Sequence, residues 1–313
     1  MKFFRTQKEI DEMLSCSMIN RPIVLLPAPG ETSFTFTNVQ RFYASLTVKN
    51  ASEINSLDAP KLFYADDAFE LLDLPNLETL QIPELRYVGS INFRNLPKLR
   101  SVLSMSTIRV SNSNPAWNPQ ERIRISNTGL EEIDFLETDG DPDTLSNTSI
   151  VITANPALTK VDIKGLVAGY IGVNITNNEL TNGTAISFPD ARRLGDVNIT
   201  SARTLDVPQL NGIRGSLSIR DNMMTGLDLP ALAGITGDFF VVNNTKLSSL
   251  KFDYLSRVGN DKPPNRHGSF IISDNTRLDS LSLPAHNYLK VGGGIIIQGN
   301  MTRLEKDSRR TRW

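Results

Sequence analysis

Short apolar-polar-apolar alternations recur along this chain, and each is followed at a fixed distance by asparagine. The pattern apolar-x-apolar-x-x-Asn-x-x-Leu holds at Ile150/Ile152/Asn155/Leu158, Phe239/Val241/Asn244/Leu247 and Phe270/Ile272/Asn275/Leu278; Leu217/Ile219/Asn222 matches up to the last position. Looser copies begin at Leu46, Ile91, Ile123, Val173, Val197 and Ile295. A second phrase, apolar-Pro-x-Leu, starts at Leu74, Ile82, Leu96, Val207 and Leu229. Alternation with period two puts both apolar side chains on one face of a strand. An Asn at the strand end can bond backbone groups in the turn and tolerates left-handed backbone angles, and stacked copies can bond one another as a ladder. The residue before Pro is extended, and Pro ends a strand or marks a bend. Copies start roughly every 20 to 27 residues. A coil that short cannot bury its own apolar face, so coils must stack. The expectation is a mainly β chain: a right-handed parallel β-solenoid of about ten coils over residues 21–305.

Polar inserts at 111–120, 137–143 and 260–268 lengthen corners without disturbing the in-out pattern. Residues 1–20 read differently. Thr6-Gln-Lys-Glu9 is a capping box, and Ile10, Met13 and Leu14 follow at i, i+3, i+4. The expectation is a short amphipathic helix that covers the exposed end of the first coil. At the other end, Ile295–Asn300 runs into a basic segment with no counterpart cap, which suggests a chain that stops early; 306–313 is expected to be a disordered basic tail.

Composition removes several function classes. Lys plus Arg (33) nearly cancels Asp plus Glu (34), and a net charge of −1 argues against a nucleic-acid partner. No apolar run is long enough to cross a membrane. The single Cys16 cannot form an internal disulfide, and His267 and His286 cannot alone build a zinc site, so neither metal nor cofactor is expected. Met1–Thr6 carries no apolar leader core, which taken alone favours an intracellular protein.

The order of these motifs resembles a known family. The opening Ile10-Asp-Glu-Met-Leu-Ser-Cys16-Ser, the Leu-Pro-x-Leu units and the strand-x-x-Asn units are similar to those of fungal, GPI-anchored cell-wall-organisation proteins. That family is built from receptor L-domain-like, leucine-rich-repeat-like coils, and the resemblance covers roughly residues 6–305. It implies an extracellular, N-glycosylated protein of the wall or cell surface, non-enzymatic, with wall polysaccharide or surface proteins as partners and membrane contact only through a lipid anchor. The solenoid would then be one body or two fused L-domain-like halves. The family's opening disulfide would map here only to Cys16 as one half. The leader, the first cysteine and the Ser/Thr-rich tail with its anchor signal are not among these residues; the expectation is trimming at both ends, with a divergent copy that has lost export as the alternative.

Candidate residues follow from chemistry. Seven sequons occur, at Asn50, Asn147, Asn174, Asn182, Asn198, Asn243 and Asn300. They matter only on the secretory route, and an Asn/Ser/Thr-rich solenoid also generates some by chance. Asn243 is the strongest candidate, because Asn244 fills the inward turn position. Trp117, in a polar insert, is a candidate carbohydrate contact. Asp139-Gly-Asp141-Pro-Asp143 lacks the Gly and Glu of a calcium loop. Asp66-Asp67 and Glu131-Glu132 are adjacent acids, which in a strand point to opposite faces and are poorly placed for glycosidic chemistry. Gly292–Gly294 precedes a strand and not a helix, so it reads as a corner. No catalytic residue is expected. The leading reading is a wall scaffold or recognition protein; an intracellular adaptor for a protein partner and a carbohydrate-active β-helix enzyme are the alternatives.

Overall fold

The structure, a computed structural model, describes residues 1–13, 17–111, 121–138, 148–167, 170–176, 178, 183–260, 267–284, 288–299 and 303–305. Its class is a parallel β-solenoid of about 11 turns with one short helix. The described residues form two compact units, one running to Ile163 together with Asn178, the other starting at Lys164.

In the first unit, strands Lys2–Phe4, Ile23–Leu25, Leu46–Lys49, Tyr64–Leu72, Tyr87–Leu96, Glu121–Thr128 and Ser149–Thr153 pair in parallel, each with a strand of the neighbouring coil. A narrower sheet stacks Ser33–Thr35, Ser56–Asp58, Thr79–Gln81 and Val102–Leu103. The second unit stacks Gly172–Thr176, Val197–Ile199, Leu217–Arg220, Phe239–Val242, Phe270–Asn275 and Ile295–Gly299 in its broad sheet. It adds a sheet from Arg193–Leu194 to Lys290–Val291 and another from Gly226–Asp228 to Arg303–Glu305.

Register places the inward residues in file. Ile219 faces Val241, which faces Ile272, and all three are fully buried. Leu25, Val48, Leu71, Phe93, Ile125 and Ile152 make the matching file in the first unit. Each buried aliphatic side chain contributes about 1.5–3 kcal/mol relative to exposure. The helix Gln7–Met13 starts at the expected capping box: Thr6 Oγ1 accepts from the Glu9 N–H (3.2 Å) and Glu9 Oε2 accepts from the Thr6 N–H (3.3 Å). Ile10 is its buried anchor. Leu14 lies outside the described residues.

Two details of the repeat differ from expectation. The left-handed backbone falls one residue before the inward Asn. Asn50, Asp73, Asn95, Asn127, Ala154, Ser201, Asp221, Asn243 and Asp274 all have φ between 52° and 59°. A left-handed residue at the strand end turns the chain inward, so the next side chain enters the core. The inward Asn is instead a bonding residue. Asn244 donates Nδ2 to the carbonyls of Ile219 (3.0 Å) and Val242 (3.2 Å) and accepts from the Asn222 N–H (3.0 Å). Asn222, Asn275 and, in the first unit, Asn155 and Asn178 act alike.

The proline phrase also occupies two different corners. Leu74 and Leu96 directly follow the left-handed Asp73 and Asn95, so they hold the Asn position of other coils. Ile82, Val207 and Leu229 sit at the corner after the short strand. Both corners close with the same i→i+3 backbone bond, as in Leu77 N–H to the Leu74 carbonyl (3.1 Å) and Leu232 N–H to that of Leu229 (3.3 Å). That shared closure is why the phrase reads identically at either place.

Candidate functional site

With the apolar side chains inside, chemistry is confined to the outward rows. In the first unit, Met18, Arg41, Tyr64, Tyr87 and Arg109 lie side by side on successive strands. Tyr64 and Tyr87 stack with centroids 4.7 Å apart and planes 7° off parallel. The Arg41 guanidinium lies 4.6 Å from the Tyr64 ring and 4.2 Å from the Tyr43 ring; that of Arg109 lies 5.8 Å from Tyr87. Arg41 also bonds Asp66 at 2.7 Å, and this bond raises its already high pKa. Arg109 pairs with Glu137 at 3.1 Å and Arg124 with Glu121 at 2.6 Å. In this row the rings of Tyr64 and Tyr87 and the cations Arg41 and Arg109 engage one another or a neighbouring acid.

Asp66 and Asp67 do not follow simple alternation. Both fall between Ala65, opposite Val88, and Ala68, opposite Ser90, so a bulge brings the two acids opposite Gly89 alone. A side chain at Gly89 would place Cβ 2.4 Å from the Asp66 carbonyl oxygen, which only glycine avoids. Glu131 and Glu132 are exposed and paired separately, with Arg100 (3.3 Å) and Lys160 (3.8 Å). Lys160 has its pKa raised mainly by its hydrogen bond to Asp134. His267 is exposed, its backbone bridged to Asn260. Among the described residues no three His, Cys, Asp or Glu side chains gather as a metal site.

The second unit differs. Its sheet beginning at Arg193–Leu194 presents an outward row Arg193, Gly212, Gly234, Arg257, Lys290. The two glycines leave a groove of about 660 Å³, walled by Tyr170, Arg193, Arg214 and Arg257, and a second hollow of about 330 Å³ continues past Arg257 to Tyr288 and Lys290. The sequence pattern did not single out this row, because a two-residue strand gives little alternation to read. The available signal was the recurrence of Gly-Ile at 212–213 and 234–235 between Arg193-Leu194 and Arg257-Val258.

Four of the candidate glycosylation residues are described. Asn243 and Asn50 are exposed at the left-handed corner, and Asn243 Nδ2 donates to Asp221 Oδ1 (2.5 Å). Asn174 and Asn198 are outward neighbours on paired strands of the broad sheet, with Asn198 Nδ2 donating to Asn174 Oδ1 at 3.2 Å. Asn147, Asn182, Asn300, Cys16, Trp117, His286 and the 139–143 loop lie outside the described residues.

No family model matches the chain, and no solved structure matches it. Curated relatives do. Protein ecm33 of Aspergillus fumigatus is 28% identical over 255 residues, 81% of this chain and 59% of that protein. Cell wall protein ecm33 of Schizosaccharomyces pombe is 23% identical over 78% of this chain and 54% of its own length. Cell wall mannoprotein PST1 of Saccharomyces cerevisiae is 25% identical over 96% of this chain and 61% of its own. The chain thus spans little more than half the length of these relatives. Along most of its length, then, this chain of stacked parallel coils is similar to fungal cell-wall proteins.

Proposed function

We propose that this chain is a non-enzymatic protein of the fungal cell wall or cell surface, contributing to wall organisation as a scaffold and recognition body. The observation that carries the reading is similarity to named wall proteins along 78–96% of the chain. The architecture supports it: within each unit the stacked coils offer outward rows, and several acids of the described first unit, among them Asp66, Glu137 and Asp134, pair with cations of neighbouring strands. Its partners would be wall polysaccharide or wall proteins, and glycosylation would fall on the outward sequons.

Asn174 and Asn198 sharpen this. They sit one rung apart, about 4.8 Å, too close for two bulky glycans. Expression through a secretory fungal host, followed by glycopeptide mass spectrometry and wall fractionation, should find Asn243 and Asn50 modified, only one of Asn174 and Asn198 modified on any molecule, and the product retained with wall material. Absence of any modified sequon together with loss of the product to the medium would sink the proposal. Cleavage of wall glucan or pectin, abolished by a single Asp substitution, would overturn its non-enzymatic part.

A further inference from the structure

The groove over Gly212 and Gly234 is a charged surface of the second unit whose lining, among the described residues, contains no carboxylate. Arg193, Arg257 and Lys290 occupy its row and make no salt bridge among the described residues. Arg214 stands beside them with its guanidinium 4.6 Å from the Tyr170 ring, a contact that leaves its N–H edge open. In a chain of net charge −1, four cations on one groove without a counter-charge are a local excess. Mutual repulsion there lacks the compensation given to Arg41 or Arg109, and an anionic ligand would remove it.

From this we infer that the groove binds an extended anionic glycan, one whose sugars carry phosphate or carboxylate groups. The inference rests on the wall reading for the glycan and on the groove itself for the anion. Rungs of a parallel sheet are about 4.8 Å apart, so Arg193 and Arg257, three rungs apart, span about 14 Å, and Lys290 lies one rung further. A single small anion cannot reach all of them; a polymer lying across the coils can. The glycine floor offers peptide backbone without side-chain knobs, so a flat sugar ring can approach it, and Tyr170 and the 78%-exposed Tyr288 supply rings at the groove's sides. Arg is suited to phosphate and carboxylate through paired N–H donors. A nucleic acid fits less well, because the chain carries no general basic excess to hold it outside the groove.

The test measures binding of purified full chain to four fluorescent probes: a phosphorylated mannopentaose, a decameric oligogalacturonide, an uncharged β-glucan oligomer and polyphosphate. At least one anionic glycan should bind about tenfold or more tighter than the uncharged oligomer, with affinity falling as salt rises; which one binds tells phosphate from carboxylate recognition. Arg193→Ala with Arg257→Ala should weaken it about tenfold or more, whereas Arg277→Ala, at the opposite corner, should not. Gly234→Val supplies an independent variant: its Cβ would meet only the Arg257 carbonyl oxygen at 3.9 Å, so the fold tolerates it while the groove fills. Unchanged binding in Gly234→Val, equal weakening by Arg277→Ala, equal binding of the uncharged oligomer or polyphosphate, or no anionic glycan binding at all would each overturn the inference. The assay contains no wall, so its failure leaves the wall fractionation result standing, and the reverse also holds.

Discussion

Leu96 in the first unit and Asn244 in the second occupy the same place in their coils, one residue after a left-handed strand end, and both are fully buried. What they do there is different. Leu96 fills space, and its corner closes through backbone alone. Asn244 is bonded to both neighbouring coils and to its own strand: it accepts from the Asn222 N–H, and its two Nδ2 hydrogens are shared among the Ile219 and Val242 carbonyls and Asn275 Oδ1 (3.1 Å). A solenoid corner therefore accepts either an apolar plug or an amide that satisfies every polar group it meets. The two solutions are not interchangeable, because the amide gives the buried Asn222 N–H its acceptor, which a leucine cannot do.

Breaking the amide should have the largest effect. Asn244→Ala removes the buried acceptor of the Asn222 N–H and the buried amide donor to the Ile219 carbonyl, while the Val242 carbonyl keeps the Asp221 N–H. At about 1–3 kcal/mol for each of these two groups, the loss should be about 2–6 kcal/mol. Asn244→Leu, though more apolar and nearly the same size, should be no better. Urea unfolding of purified variants measures both. A leucine variant as stable as the parent would show that the two corner solutions are equivalent and that the ladder is incidental.

The inside and outside of the other corner differ by less. Leu229 is buried and Asp228 exposed on the same short phrase. Leu229→Ala should cost about 2–5 kcal/mol, and Asp228→Ala should stay within about 0.5 kcal/mol. Equal costs in thermal melts would mean that this strand does not face the core as drawn.

These contrasts separate what the sequence carried from what it concealed. Inward files such as Ile219, Val241 and Ile272 were legible because a strand's period of two is written directly in apolar spacing. The helix start was legible because Thr6 and Glu9 are a local, reciprocal bonding pair. The left-handed position was not, since Asn, Asp, Ser and Ala all occupy it and backbone demand, not one residue type, defines it. The bulge at Asp66-Asp67 was hidden because it depends on Gly89 one coil away. The basic groove escaped for the same reason: Arg193 and Arg257 become neighbours of one hollow only through the register of four coils.

The smallest expected effect concerns Asp58 and Asp228, which hold the same place in the phrases Leu57-Asp58-Ala59-Pro60 and Leu227-Asp228-Leu229-Pro230. Asp228 has Lys251 one rung away at 3.7 Å. Asp58 is flanked on its sheet by Thr35 and Gln81, and its Oδ1 is buried without a hydrogen-bond partner. Burial accordingly raises the Asp58 pKa above its ordinary 3.8, so the folded state favours the protonated acid. The stability this group contributes is present in full below its unfolded pKa and is lost as pH rises through the raised folded value. Asp58→Asn keeps a neutral, similarly shaped side chain at every pH. It should melt close to the parent below pH 3.8 and above it at pH 7, the gap opening as the Asp58 carboxyl ionises in the parent. Asp228→Asn should instead leave the pH 7 melting temperature unchanged or slightly lower, as expected when an exposed ion pair is removed. If both variants shift in the same direction at pH 7, the cation one rung away is not what distinguishes these two positions.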